Sequence, residues 1–160
     1  MNRPAFLANR LREVLLNGHW IANTNYKEQL LSVTWEQATQ QILNLNTIAA
    51  LTYHVNYYLA GVLNVFNGGA LEIRDKFSFD LPVIKSQQEW KQLVDTFLTN
   101  SEKFASHVAQ MTDEKLDAIF VDEKYGTYLR NIEAIIEHSY YHLGQISLLK
   151  KMIPGELNNK

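Results

Sequence analysis

Hydrophobic residues recur every three or four positions along four long segments of the chain. This spacing places them on one face of an α-helix, so each segment is predicted to be a helix that packs against a core. Helix breakers follow three of the segments: Gly18 the first, the Gly68-Gly69 pair the second and Pro154 the fourth. The predicted long helices cover residues 4–17, 46–67, 86–110 and 127–152.

The segments between these helices are less regular. Thr34 is a candidate N-cap for a brief helix in TWEQATQQIL, and MTDEKLDAIF predicts another short helix, whereas residues 19–31 indicate a loop. Residues 70–85 combine charges with Asp80 and Pro82 and predict a long crossover connection between the second and third long helices. Strand-like alternation is absent over any useful length. The patterns together predict an all-α fold, a four-helix bundle formed by a single domain over residues 1–160.

Composition and charge narrow the classes of partner. The 160 residues are 46% hydrophobic and 20% charged, the formal net charge is -2, and no stripe of lysine and arginine is present. Neither a nucleic acid nor an anionic membrane surface is therefore expected as a partner. No apolar run reaches the roughly 20 residues that cross a bilayer, and MNRPAFLANR lacks the layout of a signal peptide. We expect a cytoplasmic protein.

The histidines supply the candidate chemistry. The chain has no cysteine, so any bound metal must be held by nitrogen or oxygen atoms. His138 and His142 lie about 40° apart on one side of the last predicted helix, and that side is predicted to face the core. Two imidazoles with this spacing can bind one cation. His54, on the inward face of the second helix, is the natural third ligand.

A role without metal is the alternative interpretation of these histidines. A single histidine on an apolar face is often a core residue that is held by hydrogen bonds, and spacing alone leaves both interpretations open. An unpaired buried polar group costs roughly 1 to 3 kcal/mol, which a shared metal would avoid for all the imidazoles together. The remaining two histidines are left out of the site, since His107 is expected to face solvent and His19 follows the end of the first helix.

The last helix also carries a family motif. The stretch HSYYHLGQISLLKK, with TIAALTYHVNYYLAGVL in an earlier helix, resembles the DinB-like (YfiT-like) family of four-helix-bundle metalloenzymes, and the resemblance covers nearly the whole chain. Its most specific part is a histidine, three residues, a second histidine, one residue and then Gly-Gln. The resemblance implies a divalent metal, often nickel or zinc, bound by His54, His138 and His142. It also implies a homodimer, and some members are transferases or isomerases that use low-molecular-weight thiols.

A site with three histidine ligands predicts catalysis more than a structural role. It leaves coordination positions for water or substrate, as catalytic zinc sites do. Each ligand is expected to direct its second ring nitrogen at a hydrogen-bond partner, and Tyr58, Asn131 and Gln145 lie on suitable faces. We therefore expect a metal-dependent transferase or hydrolase, with a small-molecule substrate that enters where the crossover loop and residues 18–25 approach the metal. The alternative is a non-catalytic bundle, stabilised by a metal or by its histidines alone.

The acidic residues near the motif predict no general base. Glu137 is next to His138 in the sequence but lies about 100° away around the helix, and Glu133 lies farther from the inward face than Asn131. The second long helix contains no acid at all, so the paired Glu-x-x-His motif of di-iron bundles is absent. One metal ion is therefore expected, not two.

Overall fold

A computed structural model of the protein describes residues 2–153, which form seven α-helices and no strand beyond one isolated bridge between Ile119 and Thr127. Pro154, predicted to follow the last helix, lies outside the described residues. No helix in the described range has the length and apolar content to cross a membrane. The helices are α1 Arg3–Arg12, α2 Tyr26–Leu31, α3 Trp35–Thr39, α4 Ile48–Phe66, α5 Gln87–Ala109, α6 Asp113–Asp117 and α7 Tyr128–Met152.

The four long helices of the predicted bundle are confirmed as α1, α4, α5 and α7, and a wider π-helical turn, Glu13–Asn17, continues α1. Each begins at a side chain that accepts a hydrogen bond from a backbone N–H of the first turn, which satisfies a donor that has no partner within the helix. These N-caps are Asn2, Thr47, Ser86 and Thr127, with donor-to-oxygen distances of 3.0, 3.1, 3.2 and 3.2 Å.

Two of the three short helices were predicted from the sequence, and one was not. Both α3, capped by Thr34, and α6 are found where they are predicted. The loop predicted over residues 19–31 is wrong in its second half, because Tyr26–Leu31 forms α2. The helix begins at Asn25, whose side chain accepts from the Glu28 N–H at 3.1 Å, and it buries Tyr26 and Leu30 one turn apart. Six residues are too few for a helical period to stand out in the sequence.

The core lies between the four long helices, where α5 packs on both α1 and α4, and α4 packs on α7. Its largest members are aromatic, and Trp90 also donates its indole N–H to the carbonyl of Val33 at 2.9 Å. This bond ties α5 to the chain that follows α2. Fully buried side chains of the core include Leu11, Trp90, Phe97, Phe104, Ile132 and Ile136.

The crossover connection between α4 and α5 lies against α4. A Cβ atom added at Gly61 would meet Cγ1 of Ile73 at 2.4 Å, so only glycine lets the connection approach the helix this closely. A short 3₁₀ turn, Asp75–Phe77, follows the contact. The predicted long crossover is therefore confirmed, and it is packed against the face of α4 that continues toward His54.

The buried hydroxyl of Tyr26 connects α2 to α7. It donates to the carbonyl of Ser139 at 2.9 Å, and the Tyr26 ring packs against Phe97 with centroids 5.0 Å apart. Burial raises the pKa of this tyrosine well above its usual value, so the hydroxyl remains protonated and a donor. Because Ser139 follows His138 directly, this bond helps to hold the segment of α7 that carries the histidines.

Substitution of Tyr26 by Phe is expected to lower the free energy of unfolding by about 1 kcal/mol, the usual worth of one such hydrogen bond. Urea unfolding followed by circular dichroism measures the change. Tyr53→Phe is the matched control, because the Tyr53 hydroxyl has no hydrogen-bond partner among residues 2–153. Equal effects of the two substitutions would show that the bond to Ser139 contributes nothing.

Candidate metal centre

Three imidazoles from two helices meet at one point. The Nε2 atoms of His54 and His138 are 3.1 Å apart, and the three rings offer ligand nitrogens that all lie within 4.8 Å of one another. The ring centroid of His142 lies 4.8 Å from the ring centroid of His54 and 4.5 Å from that of His138. The structure therefore brings together all three histidines that the sequence selects as ligands.

Helix packing explains this meeting. In α4, His54 lies among buried residues of the inward face, and in α7 His138 and His142 lie one helical turn apart, so their side chains project in nearly the same direction. His54 and His142 are each only 7% exposed, while His138 is half-buried. Since α4 packs directly on α7, the two inward faces present their histidines to each other.

The environment keeps all three rings neutral. Burial is the main cause that lowers the pKa of each, and for His138 it acts with the neighbouring His142 and His54 to bring the pKa to about 4. For His54 the lowering by burial and His142 is opposed by the Ser78 backbone and by Asp75. A neutral imidazole has a free lone pair, which is the form that binds a metal.

The geometry fits a single ion. Two nitrogens that each lie about 2.1 Å from one ion, at angles between octahedral and tetrahedral, are separated by about 3.0 to 3.4 Å. The 3.1 Å separation of the His54 and His138 Nε2 atoms falls in this range. Without an ion, these two atoms can form a hydrogen bond in which one ring donates and the other accepts. The site thus has the correct donor atoms and spacing for a metal.

Gln145 fixes the orientation of His142. Its Oε1 lies 2.6 Å from Nδ1 of His142, one turn away on α7, and accepts a hydrogen bond from that nitrogen. The ring is thereby held with Nε2 unprotonated and available as a ligand. Of the three residues predicted to support the ligands, Gln145 is the one that contacts a ring nitrogen.

Tyr58 and Asn131 lie beside the site but make other hydrogen bonds. The Tyr58 ring packs edge-on against both His54 and His138, with centroids 5.1 Å from each, while its hydroxyl donates to Asp75 at 2.8 Å. The Asn131 amide donates to the carbonyls of residues 125 and 127, both at 2.8 Å. Neither Tyr58 nor Asn131 is hydrogen-bonded to an imidazole.

The crossover connection contributes residues that the sequence did not select. The Phe79 ring stacks on His54 with centroids 4.1 Å apart and an interplanar angle of 11°, and it shields that ring from water. The Asp75 carboxylate accepts from Tyr58 and lies near enough to raise the pKa of His54. Nδ1 of His54 is buried and has no hydrogen-bond partner among residues 2–153. The length of this connection could have indicated such residues in the sequence, since long irregular segments often carry binding residues.

A cavity of about 700 Å³ opens beside His138. Its polar lining includes Tyr58, Arg74, Asp75 and Tyr125, and Asp75 supplies the one carboxylate that residues 2–153 contribute. The crossover forms one wall through Leu71, Ile73, Arg74 and Asp75, whereas none of residues 18–25 contributes to the lining. The apolar lining consists of Val62, Leu71, Ile73, Phe120, Ala134 and Ile135.

The other histidines and acids considered from the sequence lie apart from this site. The sequence predicts that His107 faces solvent, but it is half-buried and stacks on an aromatic ring of α4, with centroids 5.2 Å apart. His19 is exposed and lies 2.9 Å from a carboxylate of α2. Glu137 pairs with an arginine of its own helix at 3.2 Å, and neither Glu137 nor Glu133 lines the cavity.

Acid is expected to destabilise the metal-free protein over a pH range that His138 defines. Its pKa is about 4 in the folded protein, and about 6.5 in an unfolded chain. Between these values the unfolded state binds a proton that the folded state does not, so the free energy of unfolding falls as the pH is lowered from 6.5 to 4. Urea unfolding of chelator-treated wild type and His138→Asn across this range measures the effect. The free energy of unfolding should fall less steeply with acid in the variant than in wild type. Identical declines in the two proteins would show that His138 does not cause the effect.

Comparison with known proteins places the chain in a family. A family model described as the DinB superfamily matches residues 24–146, which include the whole of α4 and α5 and both histidines of α7. No curated protein matches the chain, and no solved structure does. The match covers more than half of the sequence and contains all three converging imidazoles. The chain therefore belongs to the DinB superfamily.

Proposed function

We propose that the chain is a metal-dependent enzyme that acts on a small molecule, with one divalent transition metal bound by His54, His138 and His142. The observation that carries the proposal is the meeting of three neutral imidazoles at the edge of a cavity. A purely structural metal site is usually closed by four protein ligands, whereas three leave a position for water or substrate. Nickel and zinc are the candidate ions, because the family resemblance implies them and imidazole nitrogens bind both.

The chain's own residues support this chemistry in distinct ways. A metal bound at the three histidines supplies a Lewis acid that lowers the pKa of coordinated water or thiol. Gln145 holds His142 in the ligating tautomer, and Phe79 keeps water from one face of His54. Asp75, a carboxylate in the cavity lining, is placed to accept a proton from a bound substrate and is oriented by the Tyr58 hydroxyl.

A low-molecular-weight thiol is the co-substrate that we propose, which makes the chain a thiol-dependent transferase. The support is the family resemblance, because some members of that family use such thiols, together with an imidazole site whose metal would favour the thiolate form. The chain contains no cysteine, so the thiol must come from outside the protein. A hydrolase that uses water at the same position is the related alternative.

A non-catalytic bundle is the second candidate function. The 3.1 Å contact between the Nε2 atoms of His54 and His138 can be an imidazole hydrogen bond that needs no metal. The core between the helices is also extensive without the site. In this case the histidines would serve stability alone. This candidate predicts that the protein binds no ion tightly and transfers no thiol.

Metal binding by the His142→Ala variant separates the two candidates. Wild type is expected to bind one nickel or zinc ion per chain in equilibrium dialysis with elemental analysis. The variant should bind at least about 100-fold more weakly, because loss of even an indirect partner of a ligand costs 10- to 100-fold. His107→Ala, a histidine away from the site, is the matched control and should bind like wild type.

Circular dichroism of both variants should match wild type, since neither His142 nor His107 is a member of the hydrophobic core. Consumption of a thiol by metal-loaded protein is then measured with an electrophilic substrate panel, before and after chelation. Activity that depends on metal and is lost in His142→Ala supports the enzyme. Tight metal binding in His142→Ala, or the same thiol consumption after chelation, would contradict it.

A homodimer is the assembly that we propose, on the basis of the family resemblance. Several large apolar side chains are exposed on the monomer, among them Tyr141 and Leu148 of α7, and an interface would cover such groups. Sedimentation at micromolar protein is expected to give twice the mass of one chain. A single species with the mass of one chain would remove this part of the proposal.

A further inference from the structure

The cavity beside His138 is lined by both apolar and polar side chains. The apolar ones come from α4, the crossover connection, the segment before α7 and α7 itself. Among the polar ones, the Tyr58 hydroxyl donates to Asp75 and the Tyr58 ring packs against His138. These residues and Arg74, which precedes Asp75 in the chain, form the polar side of the cavity. The volume of about 700 Å³ is that of a site for an organic molecule of moderate size. A molecule that fills it would need an apolar body and a polar end.

The charge of the polar side depends on Arg74. This residue is the one cation in the lining, and no carboxylate lies within salt-bridge distance of it among residues 2–153. Its backbone is fixed by Tyr57, whose hydroxyl accepts from the Arg74 N–H at 2.9 Å and donates to the Arg74 carbonyl at 3.1 Å. Arg74 is thus held at the cavity while its charge remains uncompensated by an ion pair.

The metal would make this side positive. The formal charges of Arg74 and Asp75 cancel, and the three imidazoles are neutral, so both charges of a divalent ion would be left uncompensated. A cavity with apolar walls strengthens such a field because little water screens it. The polar end of a ligand that fits here should therefore be an anion.

We infer that the cavity binds an amphipathic organic anion, with its apolar part against Val62, Phe120 and Ile135 and its anionic group toward Arg74 and the metal. The inference rests on the proposed function and names the substrate class of the same site. The anion is the substrate that would meet the thiol at the metal. A neutral molecule with the same apolar body should bind more weakly to the metal-loaded protein.

Two fluorescent probes test this inference, because they share their rings and differ by one sulfonate. The anionic probe is 8-anilinonaphthalene-1-sulfonate, and the neutral probe is N-phenyl-1-naphthylamine. Each is titrated into metal-free and zinc-loaded protein. Zinc should increase the affinity for the anionic probe by about 10-fold, because the charge of the ion attracts the sulfonate, and leave the affinity for the neutral probe unchanged.

Arg74→Gln tests the anion side of the cavity. The substitution removes the charge and keeps a polar side chain of similar reach, so it should weaken the anionic probe by about fivefold, as for a partly exposed ion pair. The neutral probe should bind as it does to wild type. Lys76→Gln removes a charge from the same connection outside the cavity lining and serves as the control.

Ala134→Trp tests the location of the probes. Ala134 lines the cavity one helical turn before His138, and helical side chains lean toward the N-terminus, so the indole should fill the cavity without displacing the imidazole. Both probes should lose at least about 10-fold in affinity. Ala109→Trp, at the exposed end of α5, is the matched control and should leave both affinities unchanged.

The outcomes separate the inference from the proposed function. Unchanged probe binding in Ala134→Trp would overturn the inference, and so would equal effects of Arg74→Gln on the two probes. Zinc binding is measured independently by equilibrium dialysis on the same samples. If zinc does not bind, the proposed function fails. Probe binding to the metal-free Arg74 and Ala134 variants would still show whether the cavity binds an amphipathic anion.

Discussion

The packing of α4 on α7 is the constraint on which the site depends. It brings the Nε2 atoms of His54 and His138 to 3.1 Å and places His142 beside them. Three imidazoles buried this closely cannot all be charged, because burial and mutual repulsion both favour the neutral form. The bundle therefore holds three lone pairs together at neutral pH, an arrangement that an ion of positive charge would stabilise.

The crossover connection turns this arrangement into a site with an opening. Gly61 lets Ile73 approach α4, Tyr57 holds the Arg74 backbone, and Phe79 stacks on His54. The connection thus covers part of the site and forms one wall of the adjoining cavity. The same short segment supplies both the carboxylate and the guanidinium of the cavity lining.

The bundle and its three converging histidines could both be predicted from the sequence, and for the same reason. Helical periodicity repeats over many residues in each long helix, so it identifies the inward faces of α4 and α7 and any histidine on them. Side chains supplied by irregular segments have no such period. Asp75, Phe79 and Arg74 therefore could not be assigned to the site before the path of the crossover was known, and α2 is too short to reveal its period. Gln145 could be predicted from the sequence because it lies one turn from His142 on the same helix.

X-ray absorption at the zinc edge of the zinc-loaded protein, compared with His142→Ala, tests whether the three histidines bind one ion. Wild type should show three imidazole nitrogens at about 2.0 to 2.1 Å, with the outer-ring scattering that imidazoles give, and the variant should show two. At least one lighter ligand from water should complete the shell. A shell of oxygen atoms alone, or the same number of imidazoles in both proteins, would contradict the claim that these three histidines bind one ion.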